Sequence, residues 1–368
     1  MVKQVTPAAS RMLALDALRG LAVALMILVN TPGSWSYVYS PLLHAPWHGF
    51  TLADWVFPLF LFAVGSAMAF SMQNVQPSLT LYARILKRTL LMFACGLLLH
   101  SFPFTQPLAE LRIPGVLQRI ALCYGITAVL VTLFSIKRLW IMSLLLLLLY
   151  WLLLTLFSVQ GAAVLSGNVV QQLDLWIFGA AHLFQGFGEP FDPEGLLSSL
   201  PAISSVLLGY LFTIKIRPLT PPQSAKLLSR FGLLFTAVGL LLHWFWPINK
   251  PLWTGSYVVF STGLTLILLA ALILSMDIKQ QNWPKGLIHF GANPLFIYML
   301  SWLWAVTAAK LLVWQQAGHS VSLYDWAFQQ LALLLPAEFA SLLFALCHVG
   351  LFWLLAYWLY RQKIFIKI

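Results

Sequence analysis

His44 is the side chain in this sequence whose chemistry and surroundings best suit catalysis. It lies in the stretch HAPWHGF between two apolar segments, and His48 follows four residues later. An imidazole can accept a proton near neutral pH, or it can act as a nucleophile that carries an acyl group. The Pro, Gly and Trp residues of the stretch predict a folded loop. The spacing alone leaves open that both histidines are interfacial side chains bonded to the backbone.

Two further polar residues, Asn30 and Asp54, bracket this loop at the ends of the apolar segments. The Asn30 amide could donate a hydrogen bond to a carbonyl oxygen or a developing oxyanion. The Asp54 carboxylate could orient the His44 ring or stabilise its charged form. Helix capping is the alternative for both residues: Asn30 would then end one helix, and Asp54 or Thr51 would begin the next.

Other charged and amide side chains also occur near the ends of apolar segments. Asp16 and Arg19 are three residues apart, so they can share a helical face and pair, or bind an anionic substrate. Arg112, Gln118 and Arg119 surround the start of the fourth segment, where a paired or ligand-binding role would explain two cations. Because such groups are costly in lipid, a functional role is the default expectation for them.

A further polar group, Asn249 and Lys250, follows the seventh apolar segment together with His243. Asn293 and Pro294 lie inside the ninth segment, where the proline predicts a break in the helix. A break within the membrane is tolerated where it lines protein or a cavity. These residues complete the set of candidate substrate- or cofactor-binding positions.

The elements that must position these residues are those of a membrane protein. The chain has 368 residues, of which 61% are hydrophobic and 8% charged, and its mean hydropathy is +0.87. A soluble domain carries roughly 25% charged residues. No fold could hide this much apolar surface from water, so the surrounding solvent must be lipid. Because the long apolar runs do not alternate as the roughly ten-residue strands of an outer-membrane barrel do, we predict an all-α polytopic membrane protein.

A spanning helix needs about 20 mostly apolar residues, and the sequence offers ten such segments. They cover approximately residues 14–32, 52–72, 81–101, 117–135, 138–159, 196–214, 227–246, 252–276, 287–311 and 338–360. With the N-terminus in the cytoplasm, most of the 21 basic residues fall on the cytoplasmic side, as the positive-inside rule requires. The exceptions are Arg19, Arg112, Arg119, Lys250 and Lys310. We therefore predict a bundle of about ten transmembrane helices with both termini cytoplasmic.

This charge bias explains the net charge of +11 without nucleic acid as a partner. The three cysteines lie in apolar runs without metal-ligand spacing, so we expect neither a metal nor a disulfide framework.

Two classes of function remain. One is a membrane enzyme that moves a group onto an external acceptor, and the other is a carrier for a sugar or small metabolite. A carrier built from broken helices would show them paired in two halves, and the sequence has no matching halves.

Several motifs occur in the order in which one membrane enzyme family has them. They are LDALRG (15–20), VN (29–30), HAPWHGFTLADWVFP (44–58), RIPGVLQR (112–119), FDPEG (191–195), NKPLWT (249–254) and GANP (291–294). In these motifs the chain resembles the heparan-α-glucosaminide N-acetyltransferase family, which includes a lysosomal enzyme and bacterial relatives. The resemblance spans nearly the whole chain, and it implies one transmembrane acyltransferase domain over residues 1–368.

The resemblance implies that acetyl passes from cytoplasmic acetyl-CoA to the amine of a glucosamine-type sugar or envelope glycan, across or within the membrane. The family's catalytic histidine matches His44, its nearby asparagine matches Asn30, and its loop aspartate matches Asp54. His44 would act as a base or as an acetyl carrier. We predict that further polar residues contact the substrates, namely Asp16, Arg19, His48, Arg112, Gln118, Arg119, Asn249, Lys250 and Asn293.

The bacterial relatives imply a multi-pass protein of the bacterial inner (cytoplasmic) membrane, embedded in the lipid bilayer, and the family allows a homodimer. The lysosomal enzyme has an N-terminal luminal portion, whereas this chain begins almost directly at its first predicted helix. If that portion shapes polysaccharide recognition, we expect the acceptor here to be a small sugar or a cell-envelope glycan.

Overall fold

Helices make up nearly all the regular structure of the protein, for which a computed structural model describes residues 12–72, 75–316 and 318–366. They are α1 (Leu13–Asn30), α2 (Leu52–Ser71), α3 (Leu79–Ser101), α4 (Val116–Leu133), α5 (Ile136–Phe157), α6 (Val169–Phe178), α7 (Ser199–Ile216), α8 (Pro221–His243), α9 (Gly255–Ile273), α10 (Lys285–Ala292), α11 (Pro294–Val306), α12 (Leu323–Ala332) and α13 (Ala337–Arg361). The π-helical turns Leu274–Ile278 and Thr307–Leu311 extend α9 and α11. An antiparallel hairpin, β1 (Val313–Gln316) and β2 (His319–Ser322), precedes α12 and pairs Val313 with Ser322.

Within the described residues, nine helices are long and apolar enough to cross a bilayer. They are α1, α2, α4, α5, α7, α8, α9 and α11 with their π-helical turns, and α13. Helix α3 has 23 residues and is not among these nine. Its first half contains Arg84, Lys87 and Arg88, which make it more polar than the nine apolar helices. This architecture confirms the predicted all-α polytopic membrane protein. The side of the membrane on which each terminus lies stays a prediction.

Local sequence signals explain where the helices around the site begin and end. Thr51 and Asp54 start α2 with a capping box, in which Asp54 N donates to Thr51 Oγ1 (3.3 Å) and Thr51 N donates to Asp54 Oδ2 (3.0 Å). The ninth predicted segment is interrupted as expected: α10 ends at Ala292 and α11 begins at Pro294. Proline has no N–H group with which to continue the helical hydrogen bonds, and Asn293 before it has non-helical backbone angles, so the helix is interrupted there.

Glycines allow the central helices to approach each other closely. Gly20 of α1 faces α10, and Gly291 of α10 faces α1, without room for a Cβ atom at either position. Gly65 of α2 and Gly209 of α7 face the opposite helix in the same way. Small residues at such crossings let transmembrane backbones pack in direct contact. These contacts fix α1 and α2, which flank the His44 loop, in the core of the bundle.

Several loops meet where α1 ends and α2 begins, and we call this end of the bundle the His44 end. The loop between α1 and α2 is joined to the loop between α8 and α9 by a hydrogen bond from Gly49 N to Ile248 O (2.9 Å). It is joined to the loop between α5 and α6 by Trp47 Nε1, which donates to Ala163 O (2.7 Å). The opposite end, where α1 begins, is the Arg19 end.

Candidate functional site

His44 and Asp54 are joined by a hydrogen bond of 2.8 Å between Nδ1 and Oδ1. The Asp54 side chain is 1% exposed, and its Oδ2 accepts from the backbone N–H groups of Ala45 (3.1 Å) and Thr51 (3.0 Å). The His44 side chain is 48% exposed, so the ring is held on one side and accessible on the other. Helix capping and histidine orientation, which the sequence left as alternatives for Asp54, are therefore both present.

Lys250 contacts the other nitrogen of the His44 ring, with its Nζ 3.2 Å from Nε2. Because the Asp54 carboxylate accepts the proton of Nδ1, we assign the lone pair of the neutral ring to Nε2, to which Lys250 donates. Burial lowers the pKa of the Lys250 amine, and the carboxylates of Glu194 and Asp54 oppose that shift. His44 thus directs its lone-pair nitrogen towards an amine.

Asn249 connects the loop between α8 and α9 to the loop of His44. Its Nδ2 donates to Trp47 O (2.9 Å) and lies 3.3 Å from His48 Nδ1. Partial burial lowers the pKa of His48, and the neighbouring His243 lowers it further. A neutral His48 can accept the hydrogen bond that the Asn249 amide offers. The two residues therefore fix the loop beside Lys250.

Arg112 binds two carboxylates that the sequence analysis did not select as site residues. Its Nε and Nη2 donate to both oxygens of Asp192 (2.8 and 2.7 Å), and Nη2 also donates to Glu194 Oε2 (2.6 Å). The guanidinium carbon lies 5.0 Å from the centre of the Phe184 ring, within range of a cation–π interaction. Burial would raise the pKa of Glu194, but the charges of Arg112 and Lys250 outweigh burial and lower it. Glu194 is therefore ionised, with its charge acting on Lys250.

The sequence carried a signal for these two carboxylates. Asp192 and Glu194 flank Pro193 in the FDPEG motif, in a chain that has only 10 acidic residues. Their partner was not readable, because Arg112 lies 80 positions before Asp192. The predicted pairing role of Arg112 is present, and the partners were the missing part.

Arg119 is buried on α4, with 1% of its surface exposed. Its Nη2 donates to Gly195 O (2.9 Å) and to Ser198 Oγ, and its guanidinium carbon lies 5.1 Å from the centre of the Trp253 ring. Among the described residues, Arg119 Nε and Nη1 and Gln118 Oε1 are buried without a hydrogen-bond partner. Arg119 and Gln118 therefore keep polar atoms that their protein neighbours do not satisfy.

Asp16 and Arg19 lie at the Arg19 end of the bundle. They form the ion pair that their spacing predicts. Arg19 lines two cavities of about 110 and 300 Å³. The smaller cavity is also lined by Arg88, whose guanidinium carbon is 4.7 Å from the centre of the Tyr124 ring. Arg19 Nε is buried and makes no hydrogen bond to a described residue, so this end combines cationic groups with space for a ligand.

Two of the three predicted asparagines, Asn30 and Asn293, make no hydrogen bond to His44, Asp54 or Lys250 in the described part of the chain. Asn30 is exposed and lines a cavity of about 510 Å³ between α1, α11 and α12, which neither His44 nor Asp54 lines. Asn293 is buried, its Nδ2 donates to Ile364 O (2.9 Å), and its Oδ1 accepts from Ile366 N (2.7 Å). Asn293 thus holds the C-terminal segment against the break between α10 and α11. The predicted parts of Asn30 in catalysis and of Asn293 in binding stay predictions.

Comparison with known proteins identifies relatives for most of the chain. The family model described as "Heparan-alpha-glucosaminide N-acetyltransferase, catalytic" matches residues 11–219, more than half of the sequence. The mouse and human proteins named heparan-alpha-glucosaminide N-acetyltransferase are each 27% identical to it, over 421 and 419 aligned residues. These alignments cover 98% and 97% of this chain but 61% and 60% of those proteins, so the chain spans about three fifths of the length of these curated relatives.

The family match includes the residues that form the first part of the site, His44, Asp54, Arg112 and Asp192, and it ends before Lys250. It also includes Asn30, which lines the cavity between α1, α11 and α12. The sequence motifs, the helical membrane architecture and this match agree. The chain belongs to the heparan-alpha-glucosaminide N-acetyltransferase catalytic family.

Proposed function

We propose that this protein is a membrane N-acetyltransferase that moves acetyl from acetyl-CoA to the amine of a glucosamine-type sugar or envelope glycan. The observation that carries the proposal is the line of three groups Asp54, His44 and Lys250, joined by contacts of 2.8 and 3.2 Å, in a chain of this family. A buried carboxylate, an accessible imidazole and a neighbouring amine are the groups that acyl transfer to nitrogen requires.

His44 Nε2 is the reacting atom of the protein in either of two routes. In direct transfer, the acceptor amine attacks the thioester carbonyl, Nε2 takes the proton that the nitrogen loses, and the carbon–sulfur bond breaks to release CoA. In the covalent route, Nε2 itself attacks the carbonyl and CoA leaves as a thiolate. The amine then attacks the carbonyl of the acetyl-imidazolium, the bond between Nε2 and the acetyl carbon breaks, and the freed Nε2 takes the proton that the amine loses. Asp54 stabilises the positive ring in both routes, because its Oδ1 holds the proton on Nδ1.

Before the substrate binds, the Lys250 amine occupies the position at the His44 ring that the acceptor amine will take. Its Nζ occupies the position at His44 Nε2 that a substrate amine must take for proton transfer. We infer that Glu194 then becomes the partner of Lys250, because its carboxylate is the charge that most opposes the lowering of the Lys250 pKa by burial. Binding of the acceptor therefore replaces one amine at Nε2 by another, and Lys250 retains a counter-charge.

The Arg19 end suits the anionic donor. Arg19 and Arg88 line a cavity there, and Arg19 Nε is buried and unsatisfied by the described residues. Guanidinium groups bind phosphate oxygens, which CoA supplies. We infer that the CoA phosphates bind at this end and that the thioester reaches His44 through the bundle. On the predicted topology this end faces the cytoplasm.

A carrier for a sugar or small metabolite is the second candidate. Cavities at the Arg19 end and beside Asn30 are both lined by α1 and α11, and the chain breaks between α10 and α11 at Asn293. Discontinuous helices with cavities on both sides are typical of carriers. A carrier would take up unmodified solute without any dependence on acetyl-CoA.

Purified protein in detergent, acetyl-labelled CoA and glucosamine provide the test. We expect labelled N-acetylglucosamine from wild type and from His319→Ala, which removes an exposed histidine of β2, and none from His44→Ala. Label that remains on the protein without acceptor, and is absent from His44→Ala, selects the covalent route. Unchanged transfer by His44→Ala would remove His44 from the mechanism. Failure to bind acetyl-CoA, together with uptake of unmodified sugar by proteoliposomes, would replace the enzyme by the carrier.

A further inference from the structure

Six basic side chains lie at three neighbouring helix ends, outside the site described above. They belong to the start of α5, the end of α7 and the start of α8, and they are Lys137, Arg138, Lys215, Arg217, Lys226 and Arg230. Arg217 Nη1 donates to Ala69 O in the last turn of α2 (3.1 Å), so α7 ends at the Arg19 end. Trp140 of α5 packs against Phe212 near the end of α7, so α5 begins there too. The two cavities that Arg19 lines include none of the six.

The sequence around these cations supplies no opposite charge. Residues 131–142 and 213–232, which contain all six, hold no Asp or Glu. In the part of the chain that the structure describes, none of the six forms an ion pair. Five of the side chains are exposed, and Arg217 is half-buried against Phe70 of α2. Because neighbouring like charges repel one another, anions from outside the chain would stabilise this cluster.

Aromatic rings lie beside the cations and join the three helices. The centre of the buried Phe212 ring is 5.2 Å from that of Trp140 on α5, and 5.5 Å from those of Phe231 and Phe235 on α8. Helices α5 and α8 leave most of their residues exposed or half-buried, whereas α7 buries most of its own. The half-buried rings of Trp140, Phe231 and Phe235 therefore form part of the outer surface that faces lipid. We call these three rings and the six cations the basic–aromatic patch.

Cations and rings are neighbours within the basic–aromatic patch. Lys215 Nζ lies 4.3 Å from the centre of the Phe231 ring, within range of a cation–π interaction, and the Lys215 side chain is exposed. Lys137 precedes Trp140 by three residues on α5, so the two share a helical face. Arg230 is adjacent to Phe231 in the sequence of α8. The patch thus offers positive charge next to apolar rings on the surface of the bundle.

We propose that the basic–aromatic patch binds an anionic phospholipid of the surrounding bilayer. The cations contact the phosphate oxygens, and the rings contact the first carbons of the acyl chains. Basic pockets between transmembrane helices bind the headgroups of anionic lipids, and aromatic rings are enriched at the membrane interface. A free phosphate would use the cations and leave the rings without a partner, so the combination favours a lipid. This site goes beyond acetyl transfer, because it uses neither His44 nor the Arg19 cavities.

Native mass spectrometry of the purified full-length protein in detergent measures the Kd of single lipids. Phosphatidylglycerol and phosphatidylcholine are the probes, because their headgroups differ in net charge. We expect wild type to bind phosphatidylglycerol more tightly than phosphatidylcholine. The double variant Lys215→Gln/Arg230→Gln should weaken phosphatidylglycerol binding on the order of thirtyfold, since each cation near an anionic lipid surface contributes a factor of about five. Its Kd for phosphatidylcholine should stay as in wild type.

Two further variants separate the patch from the overall charge of the protein. Lys279→Gln/Lys285→Gln is the matched control, because it removes two exposed cations that follow α9 and begin α10, outside the patch. Lys215→Arg keeps the charge beside Phe231. Both variants should bind phosphatidylglycerol as wild type does. Thermal unfolding of each variant verifies that the protein measured is folded.

Steady-state kinetics separate the patch from the site of the acetyl donor. The KM for acetyl-CoA should be the same in Lys215→Gln/Arg230→Gln and in wild type, because the patch lies outside the Arg19 cavities. A rise in that KM equal to the loss of lipid affinity would instead assign the patch to the donor and overturn the proposal. The lipid Kd is measured without acetyl-CoA, so a lipid site would stand even if no acetyl transfer were observed.

Three results of the lipid measurements would also overturn the proposal. Equal Kd values of phosphatidylglycerol and phosphatidylcholine in wild type would show that the patch does not select charge. An equal loss of affinity in Lys279→Gln/Lys285→Gln would assign the preference to the overall charge of the protein. Displacement of phosphatidylglycerol by glycerol 1-phosphate at equal concentration would show that the patch binds phosphate without using the acyl chains.

Discussion

The Asp54 carboxylate serves His44 and the start of α2 with different oxygens. Oδ1 lies 2.8 Å from His44 Nδ1, while Oδ2 accepts from Thr51 N and Ala45 N. The helix that anchors Asp54 in the bundle therefore also fixes the tautomer and direction of the His44 ring. Because the two tasks use separate atoms, separate substitutions can distinguish them.

Asp54→Asn should greatly lower the acetyltransferase activity and leave the thermal stability of the protein nearly unchanged. An amide can still accept the capping hydrogen bonds, but it does not stabilise a positive ring, so we expect kcat to fall about a hundredfold or more. Thr51→Ala is the comparison, because it leaves the bond between His44 and Asp54 in place. It removes the capping hydroxyl, which also donates to Leu43 O (2.7 Å) and Asp54 Oδ2 (3.1 Å), and should cost about 1 kcal/mol of stability. Steady-state kinetics and thermal unfolding of both variants provide the check. Equal losses of activity in the two would assign Asp54 to capping alone.

Contacts between residues close together in the sequence could be predicted for this site, and contacts between distant residues could not. The pair of His44 and Asp54 is local, since the residues are ten positions apart and bracket a helix start. The contact between His44 and Lys250 joins residues 206 positions apart. The sequence indicated that Lys250 was unusual, but only the packing of α9 against α2 brings the loop of Lys250 to the His44 ring.

The fold likewise contains some elements that local sequence signals predicted and others that they did not. Long apolar runs predicted the spanning helices, and Pro294 predicted the break between α10 and α11, because both signals are intrinsic to the local chain. Helices α6 and α12 and the hairpin between α11 and α12 were not predicted. Each is short, and short helices depend on tertiary packing more than on their own propensity.

Arg112 should be critical for the stability of the His44 end. Arg112→Met would leave two buried carboxylates, Asp192 and Glu194, without their cation, and breaking a buried pair costs about 3–5 kcal/mol. Arg112→Lys should recover only part of the loss, because an ammonium lacks the fork that binds both Asp192 oxygens. Thermal unfolding in detergent measures both variants.

The control for Arg112 is Arg84→Met, which removes an exposed arginine of α3 and should change stability by less than about 0.5 kcal/mol. If Arg112→Met unfolds at the same temperature as Arg84→Met, the carboxylates are satisfied by other groups. The ion pairs seen in the structure would then contribute no net stability.

Asp174 should make the protein less stable as the pH rises towards neutrality. Burial raises the pKa of this carboxyl on α6 to about 7, and the charge of Asp192 adds to the shift. Between pH 4 and 7 the folded protein therefore holds a proton that the unfolded chain has lost. The free energy of unfolding falls over that window, by up to about 1.4 kcal/mol per pH unit, and the loss is complete above the folded pKa.

Asp174→Asn tests this directly, because an amide keeps the acceptor for Leu196 N and cannot ionise. We expect the variant to unfold at a higher temperature than wild type at pH 8 and to show no advantage at pH 4. Glu338→Gln, at an exposed carboxylate of α13, should follow wild type at every pH. If the unfolding temperatures of wild type and Asp174→Asn changed with pH in parallel, Asp174 would have an ordinary carboxyl pKa.

Arg19 should govern the affinity for the donor and not for the acceptor. Its guanidinium lines both cavities of the Arg19 end, and its Nε remains available for a phosphate oxygen. Arg19→Gln should therefore raise the KM for acetyl-CoA about tenfold, as loss of one charge-assisted hydrogen bond does, and leave the KM for glucosamine unchanged. Lys279→Gln, at an exposed lysine after α9, is the control for a general loss of positive charge.

Added salt distinguishes a phosphate contact from a structural role of Arg19. Wild type should lose affinity for acetyl-CoA as salt screens the contact, and Arg19→Gln should lose less, because one charge is already absent. A variant that keeps the wild-type KM for acetyl-CoA but unfolds at a lower temperature would show that Arg19 serves only its ion pair with Asp16. The donor would then have to enter the bundle away from the Arg19 cavities.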